Sequence, residues 1–294
     1  ALFDASGNGG AGAVVTLAVP ASVSLINFSA FSNGGDGVDL SGLGGGKIAS
    51  LDVQNNLGQG VSLQNSIGTI VQSATISGNG AAGIFARRVS KATFVGFNAD
   101  ANKQGGVIIQ NSNSSTVESF NANSGGFGVL LNGSSGITVL SSITNSNTGF
   151  GIKVNGGGSN TLNVLTASDN GGYGAWLNGS SGNLVSNSFI TGNGLAGIYV
   201  GCSTTGPNGT TCASVSLSPS SHNTVTAATL EPDASKVPNG WGVAIDTGNM
   251  SNKVRFTLGF GSTHFDAIDE NSGCGTDVWS FNNFGTANPT SCIH

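Results

Sequence analysis

The chain has 294 residues, of which 49 are glycine and only 8% are charged, and its formal net charge is −5 at pH 7. The lack of a basic excess argues against a nucleic-acid partner, and a hydrophobic fraction of 37% with few charges argues against intrinsic disorder. One glycine in every six residues also excludes a protein of long helices, so the composition favours short strands joined by turns.

Residues 1–32 are predicted to form an N-terminal cap and a first coil. They contain two alternating runs, VVTL from Val14 and VSL from Val23, which are typical of strands. The apolar stretch that holds them is interrupted by Pro20 and alternates with polar residues, so we predict no transmembrane segment there. The chain begins at Ala1 without Met, as expected of a processed, exported protein.

A repeat of 22 or 23 residues runs through residues 33–200, where we predict regular coils. Each copy contains a glycine followed by an apolar, a variable and a second apolar residue, as in GVSL and GIYV. The glycines that open this motif are Gly37, Gly60, Gly83, Gly106, Gly128, Gly151, Gly174, Gly197 and Gly242. A polar column precedes the first eight of them at Asn33, Asn56, Asn79, Asn102, Ser124, Asn147, Asn170 and Asn193. An apolar column lies at Val71, Phe94, Val117, Val139, Leu162 and Val185.

A unit of this length is too short to contain a helix, and its apolar residues alternate with period two. Each strand is therefore expected to pair in parallel with its equivalent in the next coil. The sequence predicts an all-β, single-domain parallel β-helix, or β-solenoid, with 23-residue coils and Asn side chains stacked at one turn.

Runs such as NTGFGIKV from Asn147 and NGLAGIYV from Asn193 resemble the parallel β-helix repeat family, whose pectin-lyase-like members are right-handed. The resemblance implies a right-handed β-helix. It leaves the function open among polysaccharide lyases, hydrolases, epimerases, adhesins and passive scaffolds.

The repeat is interrupted over residues 201–240, which we predict to be an insertion with a cysteine loop. Residues 241–255 are expected to form the last regular coil, and residues 256–294 a C-terminal cap. Solenoids need such caps because an open end exposes strand edges and core.

Four cysteines allow three pairings, and closeness in sequence favours Cys202 with Cys212 and Cys274 with Cys292. Local disulfides of this kind indicate an oxidising compartment, so we expect an extracellular or cell-surface location.

The catalytic motifs of the enzymes that the chain resembles are missing, including Asp-Pro-His, Gly-His-Gly and R-x-P-x-x-R. The remaining catalytic candidates are Lys153, for which a solvated surface lysine is the favoured interpretation, and Asp169. No cofactor is expected; calcium is considered only for the acidic run that holds Asp266, Asp269 and Glu270, because calcium takes about 6–8 oxygen ligands.

Arg87, Arg88 and Lys91 form a small basic cluster in one predicted turn. A solvated turn is the favoured interpretation, and a contact for an acidic glycan or a partner is the alternative.

The variable position of the glycine motif is predicted to point outward. In consecutive copies it is apolar or aromatic, at Phe85, Ile108 and Leu130 and again at Trp176 and Tyr199. Contiguous exposed apolar surface marks an interaction site. Three alternatives remain: the stripe is covered by the insertion or the C-terminal cap, packs against another subunit, or stacks on sugar rings.

These features favour an exported, non-enzymatic β-solenoid, a surface scaffold or a self-assembling filament subunit whose main partner is itself. The alternative is a carbohydrate-binding or polysaccharide-degrading β-helix of the lyase, hydrolase or epimerase kind, with a polysaccharide as partner. In that case Lys153 and Asp169 would be the catalytic candidates, and Trp176 and Tyr199 the residues that contact sugar.

Overall fold

The computed structural model of the protein describes residues 3–207, 211–231 and 238–294. It is an all-β parallel β-solenoid of about 12 coils with about 23 residues per turn, which confirms the predicted fold class. The chain divides into two compact units, Ala1–Ile143 and Thr144–His294.

The first unit contains eleven described strands, all between residues 3 and 143. They are β1 (Phe3–Asp4), β2 (Ala13–Phe31), β3 (Val38–Gln54), β4 (Val61–Gln64), β5 (Ile70–Ser77), β6 (Ala82–Arg87), β7 (Thr93–Asn98), β8 (Gly105–Gln110), β9 (Thr116–Asn121), β10 (Val129–Asn132) and β11 (Thr138–Ile143).

The second unit contains the remaining described strands and two short 3₁₀ turns, Cys212–Val215 and Ser272–Cys274. The strands are β12 (Ile152–Asn155), β13 (Thr161–Ser168), β14 (Tyr173–Asn178), β15 (Leu184–Ser186), β16 (Phe189–Thr191), β17 (Ala196–Val200), β18 (Thr224–Thr226), β19 (Trp241–Ile245), β20 (Lys253–Arg255), β21 (Leu258–Gly259), β22 (Ala267–Asp269), β23 (Val278–Ser280), β24 (Asn283–Phe284) and β25 (Ala287–Asn288).

Two parallel ladders recur in each unit. One is formed by the strands of the glycine motif, such as β4, β6, β8 and β10 in the first unit. The other carries the predicted apolar column, as in β5, β7, β9 and β11. The column residues Val71, Phe94, Val117, Val139, Leu162 and Val185 are all fully buried, which confirms that this column fills the core.

The glycine that opens the motif is required by close approach between coils. A Cβ on Gly60 would lie 2.2 Å from Ile76 Cγ2 and 2.6 Å from the carbonyl oxygen of Gly83. A Cβ on Gly174 would meet Ile190 and Gly197 at similar distances. Any side chain there would displace a core residue or the next coil, so the repeat keeps glycine.

The asparagine column forms a hydrogen-bonded ladder as predicted. Asn56 Nδ2 donates to Asn79 Oδ1 at 3.0 Å, and in the second unit Asn170 Nδ2 donates to Asn193 Oδ1 at 2.9 Å. Ser124 departs from this prediction: it is exposed with φ 58°, in the one coil that has 22 residues.

The sequence analysis did not predict a second hydrogen-bonded ladder of polar side chains. It joins Asn160, Asn183, Asn223 and Asn252 and ends on the carboxylate of Asp277.

The ladders continue through the region where the sequence repeat fades. Strand β19 pairs directly with β17, and β18, which lies between them in the sequence, continues the other ladder by pairing with β15 and β20. Within the segment that the sequence predicted as a C-terminal cap, β22 still pairs with β19 and β25 with β22. The two predicted disulfides, Cys202–Cys212 and Cys274–Cys292, are confirmed.

Candidate functional site

An outward-facing column crosses the glycine-motif sheet of the second unit. Its members stand in register on neighbouring strands: Lys153, Trp176, Tyr199, Ala244 and Ile268. We call these residues the outer column. Side chains alternate along a strand, so the apolar neighbours of these residues, such as Ile152 and Val154, are fully buried on the opposite side.

Large rings surround the outer column. The aromatic cluster consists of Phe150, Tyr173, Trp176, Tyr199 and Trp241. The rings of Tyr173 and Tyr199 are stacked with centroids 4.8 Å apart, and the ring of Tyr173 lies 4.6 Å from that of Trp176. Phe150 meets Trp176 edge to face at 6.3 Å. Pairs of this geometry add about 0.5–1.5 kcal/mol each beyond the area that they bury.

Residues 201–207, which we call the strap, are hydrogen-bonded to this cluster. Trp176 Nε1 donates to the carbonyl oxygen of Gly201 at 2.7 Å. The hydroxyl of Tyr173 donates to the carbonyl oxygen of Ser203 at 2.8 Å. The polar groups of Trp176 and Tyr173 thereby donate to strap backbone, as buried Trp and Tyr require.

Tyr199 carries the third connection. Its hydroxyl donates to Asp246 Oδ2 and accepts from the backbone N–H of Ser203 at 3.2 Å. The hydroxyl of Tyr173 likewise accepts from Gly206 N at 2.9 Å. Burial raises the pKa of both tyrosines well above the usual value, and for Tyr199 the hydrogen bond to the carboxylate raises it further. Both hydroxyls therefore stay protonated and act as structural donors.

Lys153 is the one basic side chain in the outer column. Its Nζ lies 3.3 Å from the centroid of the Trp176 ring and 6.0 Å from that of Phe150, a cation–π arrangement. Burial lowers the pKa of this amine from 10.5 to about 8. Lys153 can therefore lose its proton in mildly basic solution, which an ordinary surface lysine does not do.

Phe150, Lys153, Asn155 and Trp176 together form what we call the outer-face site. Phe150, Lys153 and Asn155 are half-buried, so the site remains accessible. Asn155 Oδ1 accepts from Asn178 Nδ2 at 2.5 Å, which orients the amide. An aromatic wall with an amide and an amine suits a ligand that has both apolar and hydrogen-bonding faces, as a sugar ring has.

The structure shows which residues of the predicted outward stripe are covered. Trp176 is 5% exposed and Tyr199 fully buried, because the strap and its neighbouring rings cover them, and neither offers a free ring face. In the first unit Ile108 is 6% exposed, while Phe85 and Leu130 are half-buried. Of the three alternatives, cover by the chain itself holds for the second unit.

The other predicted residues do not join the outer-face site. Asp169 lies in the exposed turn after β13, with φ 60°, and not on the glycine-motif sheet. Arg88 and Lys91 are exposed and Arg87 is half-buried, in the turn between β6 and β7 of the first unit.

The acidic run near the C-terminus is bound by protein donors. Asp266 Oδ2 accepts from the N–H and the hydroxyl of Thr286 at 2.8 Å, and Asp269 Oδ2 accepts from Trp279 Nε1 at 2.9 Å. Among residues 3–207, 211–231 and 238–294, no group of three His, Cys, Asp or Glu side chains is placed to hold a metal ion, and no pocket is found.

Sequence reasoning missed Tyr173 and Asp246. A usable signal was the residue immediately before the motif glycine, which is aromatic at Phe127, Phe150, Tyr173 and Trp241. Asp246 lies four residues after a motif glycine, where the preceding copies carry Asn155, Asn178 and Gly201, so no repeated acidic residue marks the position.

The chain belongs to the right-handed β-helix family. The model of the right-handed β-helix region matches residues 5–122, 36–164 and 82–257, which confirms the family that the repeat resembles and the handedness that it implied. No curated protein matches the sequence.

Solved structures with a similar fold include two alginate-modifying enzymes. The periplasmic alginate epimerase AlgG has a TM-score of 0.60 at 15% identity, over 80% of this chain and 68% of that one. The A-module of the mannuronan C-5 epimerase AlgE4 of Azotobacter vinelandii has a TM-score of 0.57 at 13% identity, over 94% of this chain and 80% of that one.

These comparisons overturn the prediction of a non-enzymatic scaffold or self-assembling filament subunit, because the proteins that share the fold over most of the chain are enzymes. They favour the alternative of a polysaccharide-active β-helix. None of the helical turns in the described part of the chain has the length and hydropathy needed to cross a membrane.

Proposed function

We propose that the protein binds and chemically modifies an acidic polysaccharide at the outer-face site, with Lys153 as the proton-transferring group. The observation that carries the proposal is the half-buried amine of Lys153, held 3.3 Å above Trp176 with its pKa lowered to about 8. A general base is most effective when its pKa lies near the working pH. The likeness to alginate epimerases supports the substrate class.

The residue types at the site favour proton transfer over hydrolysis. Most glycosidases need two carboxyl groups that flank the scissile bond, and the outer-face site consists of an amine, an amide and two rings. An amine can take the proton next to the carboxylate of a uronic acid. The resulting carbanion either takes a proton from solvent on the opposite face, which is epimerisation, or expels the glycosidic oxygen on the neighbouring carbon, which leaves with a proton from solvent, and this is β-elimination. The ring of Phe150 can contact the apolar face of the sugar. We therefore expect epimerisation or β-elimination, outside the cytoplasm as the two disulfides favour.

NMR in heavy water tests the proposal, because the two reactions leave different products. Epimerisation places deuterium at the carbon next to the carboxylate, whereas β-elimination removes that proton and leaves an unsaturated sugar with an alkene proton signal. Alginate and polygalacturonate, with neutral dextran as the comparison, are incubated with the protein. With an acidic polymer we expect one of these two signals, at a rate that rises with pH through about 8.

Variants of Lys153 locate the activity. Lys153→Ala should lower the exchange rate about 10²–10⁴-fold, the range for loss of a general base. Lys153→Arg should also be inactive, since a guanidinium stays protonated. Lys103→Ala, at an exposed lysine of the first unit, is the matched control and should keep full activity. An unchanged reaction rate in Lys153→Ala, or neither a deuterated nor an unsaturated product with any acidic polymer, would refute the proposal.

A further inference from the structure

A basic turn of the first unit lies outside the outer-face site. It joins β6 to β7 and holds Arg87, Arg88 and Lys91, and we call these three residues the basic turn. The equivalent positions of the preceding coil are Gln64, Asn65 and Gly68, and those of the following coil are Gln110, Asn111 and Ser114. Positive charge is therefore concentrated in one coil, with uncharged residues directly on either side.

Two of the three cations occupy backbone positions that disfavour long side chains. Arg88 and Lys91 have φ of 53° and 52°, in the left-handed region. The other coils of this unit place smaller residues there: Gly42, Asn65, Asn111 and Gly133 in the column of Arg88, and Gly45, Gly68, Ser114 and Gly136 in the column of Lys91. Non-glycine residues other than Asn and Asp are uncommon in this region. Such positions cluster at functional sites, where the cost of strain is balanced by a role.

The backbone of the basic turn is fixed by the coils on both sides. Arg88 N donates to the carbonyl oxygen of Gln110 in the following coil at 3.0 Å, and the carbonyl oxygen of Arg87 accepts from Asn65 N in the preceding coil at 3.0 Å. Val89 N donates to Ser112 Oγ at 3.1 Å, and the Val89 side chain is buried in the core. The cations thus extend from a rigid support, so little conformational order is left to impose when a ligand binds.

Arg87 supplies a donor that the described protein leaves unused. It lies two residues after Phe85 on β6, so both side chains point to the outer side of the sheet. Arg87 Nε is buried and has no hydrogen-bond partner among the described residues. A buried guanidinium N–H without an acceptor is unfavourable, and an anionic oxygen would satisfy it.

We propose that the basic turn is a binding site for the carboxylate or sulfate groups of an acidic polysaccharide chain. Arg87 offers a hydrogen-bonding fork beside the ring of Phe85, and the exposed cations of Arg88 and Lys91 attract further anionic groups of the same chain. The site acts in binding only. Binding at the basic turn does not depend on proton transfer by Lys153, because every contact that supports it lies in the first unit.

The test replaces the cations with the residues of their own columns. The variant Arg88→Asn/Lys91→Gly removes two charges and relieves two left-handed positions. Binding of alginate, which is carboxylated, and of dextran sulfate is measured by affinity electrophoresis at low and high salt, with neutral dextran as the comparison. The double variant Lys47→Gln/Lys103→Gln, at exposed lysines of the same unit, is the charge-matched control.

We expect the wild type and the control to bind at least one of the two acidic polymers, and salt to weaken that binding. The Arg88→Asn/Lys91→Gly variant should bind at least about tenfold more weakly and melt at a temperature no lower than the wild type. Arg87→Gln should weaken binding as well. A preference for alginate would identify carboxylates, and one for dextran sulfate would identify sulfates; either supports the proposal.

Four results would overturn it: equal affinity of the Arg88→Asn/Lys91→Gly variant, equal loss in the lysine control, equal binding of neutral dextran, or no binding of either acidic polymer by the wild type. Exchange activity of the same samples separates the two proposals. If Lys153→Ala loses activity but still binds the polymer, the result is consistent with binding at the basic turn. If the variants of the basic turn lose binding, the proposed role of Lys153 is unaffected.

Discussion

The outward-facing columns of the two units follow the same motif and end in different environments. In the first unit, Phe85 and Leu130 are half-buried. Ile108 lies in register between them, on the strand that pairs with both of theirs, and is buried. In the second unit, Trp176 and Tyr199 are covered by the strap and hydrogen-bonded to it. The period of a repeat determines which way a side chain points; a segment that breaks the period determines whether the side chain reaches solvent.

Truncating one ring in each unit tests the difference between the covered and the half-buried column. Trp176→Ala removes a buried ring with several aromatic neighbours and should lower the free energy of unfolding by about 3–5 kcal/mol. Phe85→Ala removes a half-buried ring and should cost about 1 kcal/mol. Urea unfolding measures both, and equal costs would mean that the strap does not distinguish the two faces.

Opening the strap is the next largest change. Cys202→Ser/Cys212→Ser frees the segment closed by a disulfide of sequence separation 10 and should cost about 2–3 kcal/mol. Hydrogen exchange of residues 201–207 should become faster, because the Gly206 amide is held on Tyr173. Cys274→Ser/Cys292→Ser is the matched control and should leave exchange of the strap unchanged. Unaltered strap exchange in the first variant would show that the ring contacts alone hold it.

Removing each tyrosine hydroxyl measures how much its hydrogen bonds stabilise the covered face of the second unit. Tyr199→Phe removes the donor to a buried carboxylate and should cost about 1–3 kcal/mol. Tyr173→Phe removes bonds to backbone groups only and should cost about 1 kcal/mol. Denaturant unfolding compares them, and the order of the two values is the prediction: a larger loss in Tyr173→Phe would contradict the role given to Asp246.

The pH dependence of stability provides a further test. The pKa of Lys153 is about 8 when folded and about 10.5 when unfolded, so between these values the unfolded chain binds the extra proton. Stability should therefore rise from pH 8 toward 10. Above about 10 it should fall, because unfolded Tyr173 and Tyr199 ionise whereas the folded ones resist. Thermal melting between pH 8 and 11 tests whether stability first rises and then falls. Lys153→Met should remove the rise in stability between pH 8 and 10.

The repeat and the buried columns could be predicted from the sequence because each coil repeats the same packing problem. Gly60 and the asparagine ladder recur at fixed spacing, so their roles are visible without a structure. Asp246 and the strap could not be predicted in this way. Their contacts join residues up to 47 positions apart. These contacts depend on a segment that is not repeated, so no sequence periodicity indicates them.

The function was misjudged for a related reason. Missing family motifs argued against chemistry, and the pKa of Lys153 depends on its burial against Phe150 and Trp176, which the motif alone does not show. A lysine that alternation places on an outer face is ordinarily solvated. Here the neighbouring rings change its acidity, and the residue type gave no sign of it.

Protection of Lys153 from acylation, measured by mass spectrometry with and without alginate oligosaccharides, tests whether the outer-face site binds an acidic polysaccharide. We expect Lys153 to be acylated at pH 8, because burial lowers its pKa to about 8. We also expect the oligosaccharide to slow labelling of Lys153 several-fold, while the exposed Lys47 and Lys103 are unaffected. Labelling of Lys153 that is unchanged when the oligosaccharide is bound would place the polysaccharide elsewhere and contradict binding at the outer-face site.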